Sequence, residues 1–548
     1  MKVTKHDIGG ELISIITKGM YADPRDALRE YVQNGIDASA TNVTIRVRPD
    51  NISVIDDGVG MDKIVMRRAV RVGISDKNPA KSVGFMGIGL YSSFHLCDIL
   101  TIYSKIKTES PNKLTFRFKD MREFLEDQKD GRIAGKLKQL QQIDLQTLLE
   151  KNVDFTVLPI SSFPKEGTRI EMSGIEPNFF KSLSKFDEVS EYLESVVPLP
   201  FSKDFSQGEK IQSRIDTVCK THKTAFRIVN LYVNLDGNDV QLFRPYKDSD
   251  FVSNKSKGAP LTPQFYEMKS SEGFLGIAWA CLNSQRDTIA NSKVRGFIIK
   301  KQGFSIGKRS DLIPHFGRQT YFNRAVGEFL VLHPKLLPNA PRSDFEYSSL
   351  RTSFYGQLKE VVKKFSEYAD EYQEYEKAEN DLATATDLYN TIFTQLDFFE
   401  SNSDKLLEFF GDINNTASAL EKKVKASRFR TAKMADAKEL IAKMATLKKD
   451  IKSLIDNKKT KRKKTAQKSA TAGMSRYAKP QPDRPSEPVP EDVTDIIYSL
   501  GLEMSDDVDA IIKLIDEKYI KAFSSSKDDY AKKLLELRND IEELFEEE

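Results

Sequence analysis

LREYVQNGIDA, residues 28–38, places a row of polar side chains along one face of a predicted helix. Glu30, Asn34 and Asp37 follow one another at i, i+4 and i+7, and this spacing brings them to one side of a helix. The opposite side carries apolar residues that can pack into a core: Leu28, Val32 and Ile36. Two interpretations of the polar face stay open at this point: an exposed surface, or the wall of a site that holds a metal ion and a reactive water.

Length and composition limit the classes of protein to consider. A chain of 548 residues is too long for one core, so we expect three or more domains. The balance of 30% charged and 39% apolar residues indicates a long polar helical part. A net charge of +3 does not indicate a chain that binds nucleic acid along its whole length. Scattered cysteines and histidines and the lack of a long apolar run argue against disulfides, a zinc site and a membrane span, so we expect a soluble, cytoplasmic protein.

A glycine-containing turn follows the second of two predicted strands. Alternating residues predict strands at 43–47 and 52–55, and the second runs into DDGVGM, residues 56–61. Gly58 and Gly60 allow the backbone to approach a planar ligand. Asp56, at the end of the strand, can accept a hydrogen bond from an exocyclic amine such as that of adenine. An ordinary Asp-Gly turn is the alternative interpretation of the same residues.

A second glycine-rich motif, GFMGIGLYSSF, occupies residues 84–94. Its glycines precede an apolar stretch that is predicted to be helical, so free backbone N–H groups and the helix dipole can converge on a phosphate. The polar loop before it, residues 73–83, carries Lys77 and can fold over a bound anion. The motif follows no Rossmann-type strand and lacks the GK[ST] of a P-loop.

The helix that contains residues 28–38 is expected to be capped by Asp23, with Pro24 at its first position.

The order of these motifs resembles that of the GHKL ATPase superfamily, closest to the ninety-kilodalton heat-shock chaperones and their MORC-like relatives. E-x-x-x-N-x-x-D-A, D-x-G-x-G and G-x-x-G-x-G occur in LREYVQNGIDA, DDGVGM and GFMGIGLYSSF. A fourth element, EGTRIEM at residues 166–172, resembles the strand whose threonine backs the adenine-binding aspartate. The resemblance implies an α+β fold that begins with a GHKL α/β sandwich over residues 1–190. The charged, helix-forming stretch at about 120–157 is expected to be a surface insertion on this domain.

The resemblance also implies ATP and Mg²⁺ as cofactors and a role for each motif residue. Glu30 would be the general base that deprotonates the attacking water, and Asn34 would hold Mg²⁺ beside the phosphates. Asp56 would read the adenine amine, helped by Thr168 through a water. Arg29 matches an arginine that precedes the catalytic glutamate in the chaperones and is expected to form a regulatory ion pair. The remaining nucleotide-binding residues would shape the pocket or contact phosphate: Asp37, Gly58, Gly60, Met61, Lys77, Gly84, Gly87, Ile88 and Gly89.

Residues 191–355 change to a strand-rich pattern, and we predict a second α/β domain similar to the transducer domain of GHKL proteins. Strands are predicted in three places: residues 226–233, 274–280 and 294–301. LPNAPRSD, residues 337–344, resembles the chaperone middle-domain loop, which implies Arg342 as a second catalytic residue that contacts the γ-phosphate. A surface arginine paired with Asp344 is the alternative interpretation. The other candidates for the phosphate contact are Lys300, Lys301 and Arg309.

The rest of the chain is predicted to be mainly helical. Residues 356–470 carry an apolar stripe that fits either a coiled coil or an antiparallel helical hairpin: Leu440, Met444, Leu447, Ile451 and Leu454. The basic run Lys458 to Lys464 can bind the DNA backbone, or it can be a solvated helix end. Residues 471–492 are expected to be a flexible, basic, proline-rich linker, and residues 493–548 a small C-terminal helical region.

We therefore expect an ATP-hydrolysing conformational clamp that is chaperone-like and acts on protein clients or in a multi-protein complex. The first alternative is a MORC-like, DNA-binding clamp that works with a nuclease or a defence system, and the second is a nucleotide-sensing scaffold with little turnover. A homodimer is compatible with each of these, and no membrane partner is expected. The sequence lacks an acidic Toprim-type cluster, a phospho-acceptor histidine helix and a mismatch-repair endonuclease motif, which argues against those relatives of the superfamily.

Overall fold

The computed structural model of the chain describes residues 8–470, except 76, 79–81, 83, 85, 134–142, 164, 236 and 255–256. The chain divides into one compact unit of residues 1–454 and another of residues 455–548. The predicted linker 471–492 and the predicted region 493–548 lie outside the described residues. The side chains of the basic run 458–464 also lie outside the description, which covers only their helical backbone.

An eight-stranded mixed sheet forms the N-terminal part of the first unit. Its strands are β1 (Asn42–Val47), β2 (Asn51–Asp56), β3 (Cys97–Lys105), β4 (Asn112–Arg117), β5 (Val153–Val157), β6 (Gly167–Ile175), β7 (Asn230–Asn234) and β8 (Val240–Leu242). They lie side by side in the order β5-β4-β3-β6-β2-β1-β7-β8. Only β1 and β7 pair in parallel among these neighbours. Val43, Ile45 and Val47 are buried and alternate with more exposed residues, as expected for a strand with one face on a core.

Helices pack on the apolar face of this sheet. Those of the N-terminal region are α1 (Glu11–Met20), α2 (Asp26–Asp37), α3 (Lys63–Ala69), α4 (Phe118–Ile133), α5 (Leu145–Asn152), α6 (Pro177–Leu183) and α7 (Phe186–Val196). Leu28, Val32 and Ile36 of α2 belong to the same buried core as Val43 of β1 and Val54 of β2. Their spacing of four residues therefore decides which side of α2 faces the sheet. The α/β sandwich predicted for this region is confirmed.

Two local predictions for the N-terminal region are wrong. Helix α2 begins at Asp26, because the Asp23 carboxylate accepts the backbone N–H of Arg25 in a turn before the helix. The glycine-rich motif leads into a short 3-10 helix, Gly89–Ser93, rather than an α-helix. The Ser92 hydroxyl donates to the carbonyl of Gly89 at 2.7 Å, and such side-chain bonds compete with α-helical pairing.

The stretch at 120–157 contains helices α4 and α5, as expected, but its last residues form strand β5 and extend the sheet beside β4. Strand β7 also joins this sheet, although residues 226–233 were expected to belong to the second domain. Its parallel pairing with β1 places Leu231 opposite Val43. The first sheet therefore reaches well beyond residue 190.

A five-stranded sheet follows in the order β12-β11-β13-β10-β9. Its strands are β9 (Gln264–Ser270), β10 (Gly273–Leu282), β11 (Gly296–Lys301), β12 (Phe304–Ile306) and β13 (Ala325–Val331). Helices α8 (Gly208–Thr221), α9 (Gln319–Asn323) and α10 (Ser349–Gln395) accompany it. Neighbouring residues of β13 enter different cores: Phe329 packs with Phe354 of α10, whereas Leu330 belongs with Ile211 of α8. The further sheet domain predicted for this region is confirmed.

Long helices end the described chain: α10, α11 (Ser403–Lys425) and α12 (Thr431–Ala470). Arg428 pairs with Glu374, and Lys423 pairs with Asp381, so α10 and α11 run in opposite directions. Four residues of the predicted apolar stripe on α12 are buried: Leu440, Met444, Leu447 and Ile451. The helical C-terminal region is confirmed, and its first two helices form an antiparallel hairpin.

A buried ion cluster occupies the centre of the second sheet. The Glu328 carboxylate accepts hydrogen bonds from Arg244 and the Trp279 indole, both at 3.2 Å, and from the Tyr246 hydroxyl at 3.1 Å. The Lys300 ammonium lies 3.3 Å from the same carboxylate. Burial alone would raise the pKa of Glu328, but the charges of Lys300 and Arg244 lower it to about 2. The cluster therefore depends on one buried carboxylate that stays ionised.

We expect Glu328→Gln to destabilise this sheet by about 3 kcal/mol, because the buried cations lose their counter-charge. Trp279 is the only tryptophan in the chain, so its fluorescence during urea unfolding reports on this sheet. Glu267→Gln in β9 is the control, since that carboxylate is partly exposed and should contribute much less. An unchanged urea midpoint for Glu328→Gln would show that the cluster adds no stability.

Candidate functional site

A cavity of about 470 Å³ opens beside the polar face of α2. Its walls come from α2, from the ends of β2 and β6, from the two glycine motifs and from a loop that follows the second sheet. The predicted catalytic and nucleotide-binding residues line this cavity except Gly58. Arg29, which was predicted to form an ion pair, does not line it. Two remote parts of the chain, Thr168 and Arg342, thus meet the three N-terminal motifs in one place.

The polar face of α2 forms one wall of the cavity. Glu30, Asn34 and Asp37 all line it, because the apolar side of the helix is held in the core of the sheet. Glu30 is only 8% exposed. Gly89 lies against it, since a methyl group on Gly89 would be 3.1 Å from the Glu30 Oε2. Of the two interpretations of this polar face, the exposed surface is therefore wrong: the face lines a cavity.

Two neighbouring strands, β2 and β6, form the end of the cavity that contains Asp56, and β3 lies beside β6. Asp56 pairs with Thr168 across β2 and β6, and Thr168 pairs with Ser104 across β6 and β3. The Thr168 and Ser104 hydroxyls lie 2.9 Å apart, and Ser104 accepts the backbone N–H of Met61 at 2.8 Å. Gly58 donates its N–H to the Asp56 carboxylate at 2.9 Å, so it orients Asp56 from outside the cavity wall. Burial raises the pKa of Asp56 to about 6.

Two glycines are required where the loops approach the cavity. Gly60 has φ +69°, and a methyl group there would lie 2.1 Å from the carbonyl oxygen of Lys105. Gly87 has φ +70°, and a methyl group there would lie 2.5 Å from the carbonyl oxygen of Ile74. Since other residues rarely adopt this backbone conformation, both positions need glycine. Ile88, which follows Gly87, is buried and lines the cavity.

Lys77 brings a positive charge to the polar face of α2. Its ammonium donates to the Asn34 amide oxygen and to the Asp37 carboxylate, both at 2.9 Å. Asp37 also accepts the backbone N–H of Gly84 at 3.0 Å. Asp37 therefore joins α2 to both the lysine loop and the glycine motif. The Asn34 oxygen thus faces a cation, and an amide oxygen is one of the ligand types that hard cations such as Mg²⁺ take.

Arg342 reaches the cavity from a loop beyond the second sheet. The Asn339 side-chain oxygen accepts the backbone N–H groups of Ser343 and Asp344 at 2.9 and 3.2 Å, which fixes the loop. Arg342 has φ +56°, an unusual value for a residue other than glycine. Its Nε lies 3.7 Å from the Glu30 carboxylate, and its Nη2 donates to the Gln33 side-chain oxygen at 2.5 Å. The guanidinium is 8% exposed, so it is committed to the cavity rather than to the surface.

The competing basic residues are held elsewhere. Asp344 pairs with Arg351 at 2.5 Å and not with Arg342, which argues against the interpretation of Arg342 as its surface partner. The other candidates have partners in the second sheet region: Lys300 with Glu328, Lys301 with the carbonyl of His333, and Arg309 with the carbonyl of Gly296. None of these three lines the cavity.

Arg29 links Glu30 to a neighbouring helix. Its guanidinium contacts the Asp26 and Glu30 carboxylates at 2.9 and 3.1 Å. The Tyr192 hydroxyl of α7 donates to Asp26 at 2.5 Å and completes the group. The ion pair expected for Arg29 is present, and Glu30 therefore has a guanidinium on each side, from Arg29 and from Arg342.

Sequence reasoning missed several residues of the site. Ser104 is separated from Thr168 by more than sixty positions, and only the strand register brings the two together. Gln33 has no motif of its own, although it lies inside the quoted helix. Tyr21, Arg68 and Arg71 also line the cavity. Their residue types alone carry no signal, but Arg68 and Arg71 lie close together at the end of α3.

Residues 21–150 match a family model described as histidine kinase-, DNA gyrase B-, and HSP90-like ATPase. The match includes the three N-terminal motifs, and this region is a GHKL-type ATPase domain. A comparison with curated proteins found no match for the chain. Among residues 8–470, outside the gaps given above, no helix is long and apolar enough to cross a membrane. The same described residues contain no group of three or more His, Cys, Asp or Glu side chains that could hold a metal ion.

We expect adenosine to bind this cavity about tenfold more weakly for each pH unit below about 6, because a protonated Asp56 no longer offers its carboxylate to the adenine amine. Because the pKa of Asp56 is raised to about 6, the loss of affinity begins at a higher pH than it would for an ordinary aspartate. Adenosine is the probe because it has no phosphate that titrates in the same range. Calorimetry across this range measures the affinity.

Asp56→Asn is the matched control for this experiment. Its affinity should be lower at neutral pH, and it should change little with pH because the amide does not titrate. A wild-type affinity that stays constant down to pH 5 would contradict the assignment of Asp56 to the adenine amine.

Proposed function

We propose that this chain binds ATP with Mg²⁺ and hydrolyses it to ADP and phosphate. The observation that carries the proposal is the meeting of Arg342 and Glu30, 3.7 Å apart, in the cavity of a GHKL-type ATPase domain. Arg342 comes from beyond the second sheet, whereas Glu30 lies on a helix of the first sheet. A ligand that reaches this point touches both parts of the chain.

The two ends of the cavity fit the two ends of ATP. Asp56, with Thr168 and Ser104 behind it, offers an acceptor for the adenine amine. The other end has two cationic side chains, Lys77 and Arg342, that suit the phosphates. Here they contact the carboxylates of Asp37 and Glu30. The backbone of the glycine motif, from Gly84 to Gly89, would supply N–H groups to the same phosphates.

Glu30 would orient and deprotonate the water that attacks the γ-phosphate. Its carboxylate lies between the guanidinium groups of Arg29 and Arg342, which hold it in place. A γ-phosphate would take over Arg342 as its partner, because a guanidinium forms two-pronged contacts with phosphate oxygens. The Glu30 carboxylate would then lose its contact with Arg342 and could face the attacking water.

Asn34 would hold the Mg²⁺ ion through its amide oxygen, with Lys77 released toward phosphate. When bound, the ion would neutralise charge on the phosphates. The donor set fits, because an amide oxygen suits a hard cation that takes most of its other ligands from phosphates and waters.

Hydrolysis would drive a conformational clamp. ATP offers a γ-phosphate to Arg342 and ADP does not. ATP would therefore stabilise the conformation in which Arg342 reaches the cavity more than ADP would. Such a difference is what shifts a population between an open and a closed state. Paired copies of the chain would close together in the ATP state, as a homodimer.

For the output of the clamp, we propose a chaperone-like action on protein clients or within a multi-protein complex. Support comes from the loop at residues 337–344, which resembles the chaperone middle domain and carries Arg342 into the cavity. The alternative is a MORC-like clamp on DNA, which rests on the basic run at 458–464. A nucleotide-sensing scaffold would keep the binding and lose the turnover.

We expect Glu30→Ala to lower ATP turnover at least about 100-fold, because the general base is lost, while ATP still binds. Phosphate release measures turnover, and binding of a fluorescent ATP analogue measures affinity. Glu123→Ala on α4 is the control, since that glutamate is exposed and does not line the cavity, and it should leave both quantities unchanged. Turnover that survives in Glu30→Ala would refute the mechanism.

We expect double-stranded DNA to leave the ATP turnover of the full chain unchanged. Turnover is compared with and without DNA at low and high salt, together with the size of the protein by gel filtration. Stimulation that disappears at high salt would favour the DNA clamp instead, because phosphate contacts are lost as salt rises.

A further inference from the structure

Gln33 lies at the junction of the three parts that form the phosphate end of the cavity. It sits on α2 between Glu30 and Asn34, lines the cavity and is only 1% exposed. Its side-chain oxygen accepts the Nη2 of Arg342 at 2.5 Å, across 309 positions of sequence. A polar side chain buried this completely at a junction needs a defined partner.

The other end of the same amide faces the glycine motif. A methyl group on Gly84 would lie 2.4 Å from the Gln33 Nε2, so the loop approaches the amide closely only because residue 84 is glycine. The guanidinium of Arg342 can only donate hydrogen bonds, which fixes the amide with its oxygen toward Arg342 and its nitrogen toward Gly84. The amide therefore lies between Gly84 of the glycine motif and Arg342 of the loop beyond the second sheet.

The chemistry of an amide suits this position. A carboxylate here would add a second negative charge beside Arg342, after that of Glu30, and would repel a phosphate. An apolar side chain would leave the buried guanidinium with fewer acceptors. A neutral acceptor orients the guanidinium and leaves its positive charge available to an anionic ligand.

We propose that Gln33 is the positioning residue that aims Arg342 at the γ-phosphate. The proposal rests on the proposed ATPase function and adds to it the residue that couples the glycine motif to Arg342. Gln33 acts through Arg342 and does not touch the reacting atoms. ATP turnover and the preference for ATP over ADP would then depend on the buried hydrogen bond between Gln33 of α2 and Arg342.

A double-mutant cycle tests this dependence on the full-length chain. Gln33→Met keeps the length of the side chain and removes the hydrogen bond, and Arg342→Ala removes the group on which it acts. We expect Gln33→Met to lower kcat about tenfold, as for the loss of a hydrogen bond to a charged group. We expect Arg342→Ala to lower it about 100-fold, and the double variant to be no worse than Arg342→Ala alone.

The affinity for ADP shows whether a Gln33 variant has lost the orientation of Arg342 or has a damaged fold. ADP lacks the γ-phosphate, so its affinity should stay within about twofold in Gln33→Met, whereas the affinity for ATP should fall. Gln33→Glu should weaken ATP more than ADP, because it adds a negative charge beside the γ-phosphate. Gln146→Met on α5 is the matched control and should behave as wild type. In the part of the chain that the structure describes, the Gln146 amide donates to Glu150, one turn further along the same helix.

The outcomes separate the two proposals. Effects that multiply in the double variant, or a wild-type kcat and ATP affinity in Gln33→Met, would overturn the role of Gln33 while the ATPase function stands. If the wild-type chain binds ATP without turnover, the ratio of ATP to ADP affinity replaces kcat in the same cycle. A wild-type chain that binds neither nucleotide would overturn both proposals.

Discussion

Helix α2 is buried along almost its whole length, and the charges that it carries must therefore find partners inside the protein. Ten of its twelve residues are buried, including Glu30, Arg29 and Gln33. An unpaired buried charge is costly, so the fold supplies counter-charges from distant parts of the chain. Arg29 and Arg342 flank Glu30, and Lys77 contacts Asp37. The contacts that make it possible to bury this helix are the same contacts that form the cavity.

The parallel pairing of β1 with β7 decides where the second part of the chain lies. Helix α8 packs into a core of the second sheet, and the strand that follows it, β7, returns to the first sheet between β1 and β8. This connection lies within one compact unit, and it holds the loop with Arg342 against α2. The network of Asn339 and the φ of +56° then aim a single side chain out of that loop. A contact between remote residues is thus produced by the path of the chain and not by local preference.

The charge distribution along the cavity has a direction. One end offers the buried Asp56 carboxylate, and the other offers Lys77 and Arg342 around a helix with Glu30, Gln33 and Asn34. A ligand with an amine donor at one end and phosphates at the other complements this distribution. ATP and ADP differ only at the end where the second sheet contributes its arginine. In the proposed clamp, the nucleotide therefore acts on the junction between the two sheets. The neutral amide of Gln33 orients Arg342 there and adds no negative charge to that of Glu30.

The sequence by itself determined the local features: the two-sided helix at Glu30, the glycines at 60 and 87, the strand that ends at Asp56 and the order of the motifs. These follow from spacing and backbone chemistry, which short segments carry on their own. It also indicated Arg342, through a loop that resembles a known one. Only the tertiary structure decided that Ser104 stands beside Thr168, that β7 belongs to the first sheet, and that Gln33 is the partner of Arg342. Each of these depends on strand register or on packing between distant segments, and a long-range contact of this kind leaves no periodic pattern in the residues that make it.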